Sequence, residues 1–261
     1  MKMKNSIFLA FILGVAQGPA AANDIDGVLK TLGFKEQSIP AGEALSRANR
    51  SGQSFAVQLA GGRLVVKPVE HSVPDTNVPQ ARLQAGPIRY EGTDRGEWGG
   101  QLVAILPGGE RKILLKKNII AIPPGDKHLL VFSGLAHLGL REGAVYRVDS
   151  PDQHPRLSRI VLLPDAPVLV VEDPRGKVAG QKIIIGNSSL MAMGSSGQGG
   201  NLKVLAREQF WWPLFPNSAV LIDNHLVIGM RSGLAVITLD HTTVRSTRYF
   251  VPRAAVTPGA K

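Results

Sequence analysis

Histidines, carboxylates, serines and tryptophans are the residues of this chain best suited to chemistry, and their spacing argues against most catalysis. No Gly-x-Ser-x-Gly elbow is present. Gly229-Met230-Arg231-Ser232-Gly233 puts its serine one place late and falls in a strand-to-strand turn. No His-Glu-x-x-His occurs, and His71, His128, His137, His154, His225 and His241 lie in separate segments without metal-ligand spacing. His128 and His225 open equivalent strands of a repeat, which suits a structural role. The absence of cysteine excludes thiol chemistry and Cys-ligated zinc. Asp24-Ile25-Asp26-Gly27 begins like a calcium loop but lacks the later ligands and the closing Glu; it reads as the N-cap of a helix starting near Val28. The Gly/Ser run from Gly194 to Gly200 lacks the Lys-Ser/Thr of a P-loop and reads as a hairpin turn. Glu97, Glu142, Asp165 and Asp223 are the carboxylates nearest strand ends, yet nothing marks two of them as a glycosidase pair. The expectation is a non-catalytic protein with no cofactor and no metal site.

Recognition chemistry is better represented. Phe210-Trp211-Trp212-Pro213-Leu214-Phe215-Pro216 concentrates two of the three tryptophans and two of the eight phenylalanines in seven residues. Aromatics with arginine nearby are the usual hot spots of protein interfaces. The plainer alternative is that these tryptophans plug a junction between structural units, and that is favoured for one of the pair. The segment Ser133 to Glu142 is longer than its counterparts elsewhere in the chain and predicts a projecting loop.

The elements that must position these residues form a repeat. Four segments share one grammar of apolar strand, polar turn and second strand: GQLVAILPGGERKILLK from Gly100, GAVYRVDSPDQHPRLSRIVLLP from Gly143, SLMAMGSSGQGGNLKVLAREQF from Ser189 and GLAVITLDHTTVRSTRYFVP from Gly233. Their opening residues are 43, 46 and 44 positions apart. A second strand pair precedes each: NIIAIPPGDKHLLVFSG from Asn118, APVLVVEDPRGKVAGQKIIIGNS from Ala166 and SAVLIDNHLVIGMRS from Ser218. SFAVQLAGGRLVVKP from Ser54 fills that role for the first unit, followed by a Pro- and Gly-rich insert from Val69 to Gly96. Gly61-Gly62 and Asp223-Asn224 are tight-hairpin dipeptides. Four antiparallel strands in about 45 residues is the blade length of a β-propeller, in which stacking hides faces that one blade cannot bury alone. The innermost strands, such as AVLID and VLVV, are expected to be the most apolar. DIDGVLKTLGF and AGEALSRANRSG have helical character, and a terminal strand could complete a blade at the other end of the chain.

His225 to Asp240, HLVIGMRSGLAVITLD, resembles the propeller repeat of two-component-regulator sensor domains: apolar strand, Gly-Thr-Arg-x-Gly-Leu, apolar strand, Asp. Met230 stands where that repeat has Thr, and the other three units match only in pattern. The resemblance implies a fold and no activity. The resulting expectation is an all-β protein: a β-propeller of four to five four-stranded blades over 51–253, with a partly helical segment over 23–50 and a disordered tail over 254–261; a β-sandwich or two small barrels are the alternative folds.

Propellers usually bind at one end, through the loops between second and third strands and those between blades. On this repeat the first set supplies Trp98, His137, Arg141, Asn187 and Arg231, and the second supplies Lys117, Asp165, Trp211 and Trp212. The partner-binding set is therefore Trp98, His137, Arg141, Asn187, Trp211, Trp212 and Arg231.

Lys2 and Lys4, the apolar run Ile7 to Val15, and Ala20-Ala21-Ala22 read as a secretory signal cleaved before Asn23. The run is about half the ~20 residues of a membrane span, so no transmembrane segment is expected. Loss of Lys2 and Lys4 from the 30 Lys and Arg that face 20 Asp and Glu lowers the net charge from +10 to +8. A cysteine-free exported chain fits a periplasm, or secretion, and a core held without disulfides. Basic charge favours an acidic partner. The basic residues are scattered rather than clustered, which argues against nucleic acid. The leading expectation is a periplasmic protein-binding propeller, in one version an inhibitor or immunity protein against an envelope-directed enzyme. The alternatives are a glycan-binding or glycan-hydrolysing propeller and an envelope-assembly scaffold or sensor.

Overall fold

The computed structural model describes residues 24–70, 76, 78–124, 128–172, 182–194, 201–241 and 243–253. The segment read as a signal peptide, His71, the Gly/Ser run beyond Gly194 and the tail from 254 lie outside the described residues. The fold is all-β, built of antiparallel sheets with two short helices.

The chain opens with α1 (Ile25–Thr31), β1 (Phe34–Gln37) and α2 (Gly42–Asn49). Asp24 caps α1 by accepting a hydrogen bond from the Gly27 N–H at 2.8 Å, so the helix begins one turn earlier than the expected start near Val28. A two-stranded hairpin follows, β2 (Gln53–Ala60) and β3 (Arg63–Glu70). Gly61 and Gly62 turn it with φ of +57° and +76°, the left-handed pair a two-residue hairpin needs.

Four meandering sheets come next. Sheet I holds β4 (Ala81–Ala85), β5 (Ile88–Thr93), β6 (Gln101–Ile105) and β7 (Arg111–Leu115). Sheet II holds β8 (Ile119–Ala121), β9 (His128–His137), β10 (Leu140–Asp149) and β11 (Arg156–Leu163). Sheet III holds β12 (Pro167–Glu172), β13 (Lys182–Gly186), β14 (Leu190–Met193) and β15 (Leu202–Ala206). Sheet IV holds β16 (Ser218–Ile222), β17 (His225–Met230), β18 (Gly233–Asp240) and β19 (Thr243–Pro252). The N-terminal β1 adds to its outer edge, pairing Phe34 with Pro252 through Gln37 with Tyr249.

Each pair of neighbouring sheets encloses a core of its own, and strand alternation shows how. In β13, Ile184 packs with Phe132 and Val145 of sheet II, while Ile183 and Ile185 pack with Leu226 and Ile237 of sheet IV. Sheet I meets sheet II through Tyr90, Leu102, Val131 and Tyr146. Sheet IV meets the β2–β3 hairpin and α1 through Leu29, Phe55, Val57, Val227 and Val236.

Three expectations are corrected by these sheets. SFAVQLAGGRLVVKP forms the separate hairpin β2–β3, and the first two strands of the Gly100 unit are β4 and β5, inside the supposed insert. Their outward face is polar (Arg82, Gln84, Arg89 and Glu91), which hides the strand signal. Next, the most buried strands are the middle ones rather than the first. Every residue of β17 and β14 is buried, whereas β12 and β16 are mostly half-buried. A middle strand is paired on both edges and covered on both faces. Finally, Ser133 to Glu142 is not a loop. Residues 133–137 continue β9 and 140–142 open β10, leaving only Leu138-Gly139 as the turn.

Candidate functional site

The connections between second and third strands and the linkers between sheets lie at a common end, where they hydrogen-bond to one another in chain order. The β5–β6 connection contains a single 3-10 turn, Gly96–Trp98. Asn118, in the linker between sheets I and II, accepts from the Arg95 N–H at 3.1 Å and donates to the Gly96 carbonyl at 2.7 Å. The next contact is His137 Nε2 to Glu97 Oε2 at 3.0 Å, which ties the β9–β10 hairpin to that turn. Arg141 donates to Ser188 Oγ at 2.5 Å, joining sheet II to the β13–β14 connection. Asp165, in the linker between sheets II and III, accepts from the Ser188 N–H and the Ser189 hydroxyl, both at 2.8 Å. Trp211 Nε1 donates to the Gly186 carbonyl at 3.0 Å. Arg231 closes the series: its N–H reaches the Leu214 carbonyl at 2.7 Å, and its guanidinium binds Asn49 and lies 4.5 Å over the Phe215 ring.

The expected partner-binding residues thus reach one end but divide by exposure. Trp98 is 80% exposed and Trp212 is 47% exposed. His137 is half-buried and Arg141 exposed. Asn187 and Trp211 are buried, which removes both from any partner contact. Asn187 donates its N–H to the Ala166 carbonyl, and Trp211 fills the core between sheets III and IV, so the two pin the junctions. Arg231 is half-buried and holds α2 against sheet IV. Of the tryptophan pair, one plugs and one faces solvent, as weighed above.

The sequence left Leu138 unremarked. It sits at the hairpin tip with φ of +46° and is 94% exposed. Leu140 beside it and Phe215 beside Trp212 are also exposed. The legible signal was a large apolar residue in a two-residue turn, where a small or polar one is usual. Together with Trp98, these residues give this end several of the largest exposed apolar side chains among the described residues. Lys117 stands 3.7 Å from Glu142.

Burial raises the Tyr249 hydroxyl to about 12, so it stays protonated. Burial also pushes His225 below the ordinary imidazole value, helped by Arg248 and opposed by Asp26, at the side of sheet IV near α1. Among the described residues no group of three His, Asp or Glu could hold a metal ion, and no helix is long and apolar enough to cross a membrane.

No family pattern and no curated protein matches the chain by sequence. Among solved structures it is similar to the computationally designed Ika4 protein, at 13% identity and a TM-score of 0.40, over 62% of this chain and 92% of that one. It is also similar to a GH74 enzyme of Niastella koreensis, at 11% identity and a TM-score of 0.41, over 60% of this chain and 28% of that one. The extracellular domain of a hybrid two-component system from B. thetaiotaomicron aligns at 14% identity and a TM-score of 0.44, over 74% of this chain and 26% of that one. This chain therefore spans about a quarter of the two natural proteins, and at these identities none of the three transfers a residue role or an activity to it.

Proposed function

We propose that sheets I to IV are blades of a β-propeller, with the β2–β3 hairpin as a partial fifth, and that the chain is a non-catalytic exported protein that binds another protein at its loop end. The ring reading is supported by sheets that follow one another in chain order and bury a separate core at each contact. Periplasmic residence rests on the signal-like N-terminus alone.

The observation that carries the binding role is the pair Trp98 and Leu138. A tryptophan and a leucine with 80% and 94% exposure stand on tips that the His137–Glu97 contact holds together. Such side chains lower the stability of no core when removed, and they gain most when a partner covers them. A projecting hairpin with an apolar tip also suits insertion into a partner's cleft, which is the inhibitor or immunity version of this role.

The test is capture from envelope extract with the mature protein and with a Trp98→Ala, Leu138→Ser double variant, followed by titration of the captured protein. Stoichiometric binding by the parent, weakened roughly thirtyfold or more in the double variant, is the expected result. Binding to glycans that depends on Trp98, with no protein captured, would replace this reading with a lectin.

A further inference from the structure

On sheet II, beside the linker from sheet I and next to the loop end, runs a groove of about 470 Å³ lined by Lys116, Lys117, Leu135, Arg141, Arg159 and Leu162 among others. Four cations line it against one carboxylate, Glu142. Glu142 lies near Lys117, and Arg141 spends a donor on a serine, not an acid. Among the described residues neither Lys116 nor Arg159 has an ion pair or side-chain hydrogen bond. Uncompensated cations around a concave surface raise the local concentration of anions. The groove is not purely polar, however. Leu162 is 63% exposed there, with half-buried Leu135 nearby.

Spacing decides what kind of anion fits. Arg159 pairs with Tyr146 on β10, and Glu142, opposite Leu135 and beside Lys117, lies four residues earlier on the same face, whereas Arg141 alternates to the other face and Ser188. At the rise of an antiparallel strand, those four residues cover roughly 14 Å. A single phosphate or sulfate cannot span it, whereas about four residues of extended peptide can. The groove is also bordered by β11, a terminal strand of its sheet, whose outer edge offers backbone donors and acceptors to an added strand.

We propose that this groove takes an extended acidic segment of a protein partner, with carboxylates on Lys116, Lys117 and Arg159 and apolar side chains on Leu135 and Leu162. The proposal deepens the protein-binding reading and rests on it, placing the charged part of the contact beside the apolar tips. The net positive charge then has a local use.

Fluorescence polarisation with a labelled eight-residue peptide of alternating Glu and Leu tests it on the full mature protein. Saturable binding is expected, weakened about tenfold by Lys116→Glu with Arg159→Glu, because attractions become repulsions. Raising the salt should weaken it further. Trp98→Ala should leave this peptide's affinity unchanged, so loss of the tip function and loss of the groove function are told apart. Equal affinity in the double variant would overturn the proposal. So would equal binding of a Glu–Ser peptide, which would mean charge alone, or displacement by millimolar inorganic phosphate, which would mean a small-anion pocket. Circular dichroism of the double variant guards against misfolding, and a Lys116→Gln, Arg159→Gln pair should show a smaller loss in the same direction.

Discussion

The linker from sheet II to sheet III and the linker from sheet I to sheet II occupy the same place in successive units, yet one is sealed and the other open. In the first, Asp165 is buried and its carboxylate accepts from the Ala166 and Ser188 N–H groups and the Ser189 hydroxyl. Gly143 packs so closely that an added Cβ would lie 2.4 Å from the Asp165 carbonyl. In the second, Asn118 is equally buried and plays the same pinning part on Arg95 and Gly96. Beside it, though, lies the cation-lined groove. Polar pinning of the linker is the common structural requirement, since a buried turn must satisfy its backbone groups. What varies is whether the flanking surface is filled, and the unfilled junction is where the unpaired cations stand.

The contrast between sealed and open surface can be broken most sharply at the tryptophan pair. Trp211→Ala empties a fully buried site between sheets III and IV and strands the Gly186 carbonyl. It should cost about 3–5 kcal/mol, lowering Tm by on the order of 10 °C in a thermal melt. Trp212→Ala, at the half-exposed neighbour, should move Tm by a degree or two. Comparable losses at both would show that the second tryptophan also belongs to the core.

A smaller effect separates the two linkers. Asp165→Ala leaves three donors without their acceptor and should cost about 2–3 kcal/mol in urea unfolding. Asn118→Ala leaves one donor and one acceptor beside an open groove that water can enter, so about 1 kcal/mol is expected. An Asn118 penalty equal to that of Asp165 would mean the open junction is as dry as the sealed one.

The smallest effect concerns pH. His225 has its folded-state pKa lowered, so the unfolded chain binds the proton more readily. Its contribution is therefore complete above the ordinary value of 6.5 and is lost as pH falls through and below it. Asp26, lowered chiefly by its hydrogen bond to Arg248, adds a second loss below the ordinary carboxylate value of 3.8. Unfolding free energy should decline gently from pH 7 to 5 and flatten over that range in His225→Gln. An unchanged slope in that variant would assign the decline elsewhere.

Much of the architecture was legible because antiparallel meanders are local. β16 to β19 are joined by short hairpins, so alternation along the chain and turn dipeptides such as Asp223-Asn224 announce both strands and partners. Sheet I was obscured for the opposite reason. β4 and β5 carry arginines and glutamine on a solvent-side face, and Gly86-Pro87 between them looks like loop. The β2–β3 hairpin was recognised as a hairpin, but its neighbour was misassigned. Its β2 strand packs on β16 and β17, and the Val57 N–H reaches Ser218 Oγ from 161 residues away. No periodicity encodes that choice. At the site, residue type alone could not distinguish Trp211 from Trp212, which differ only in the side of the junction they face.

By itself the sequence determined the strand-rich composition, the repeat near 45 residues, the capped first helix and the end at which the candidate residues gather. These follow from local sterics, alternation and turn chemistry, which act between near neighbours in the chain. Only the tertiary structure decided which tryptophan is covered, which linker is sealed, where the N-terminal strand adds and which cations remain unpaired. Those outcomes depend on surfaces brought together from distant segments, and burial and charge compensation are properties of the surroundings rather than of the residue.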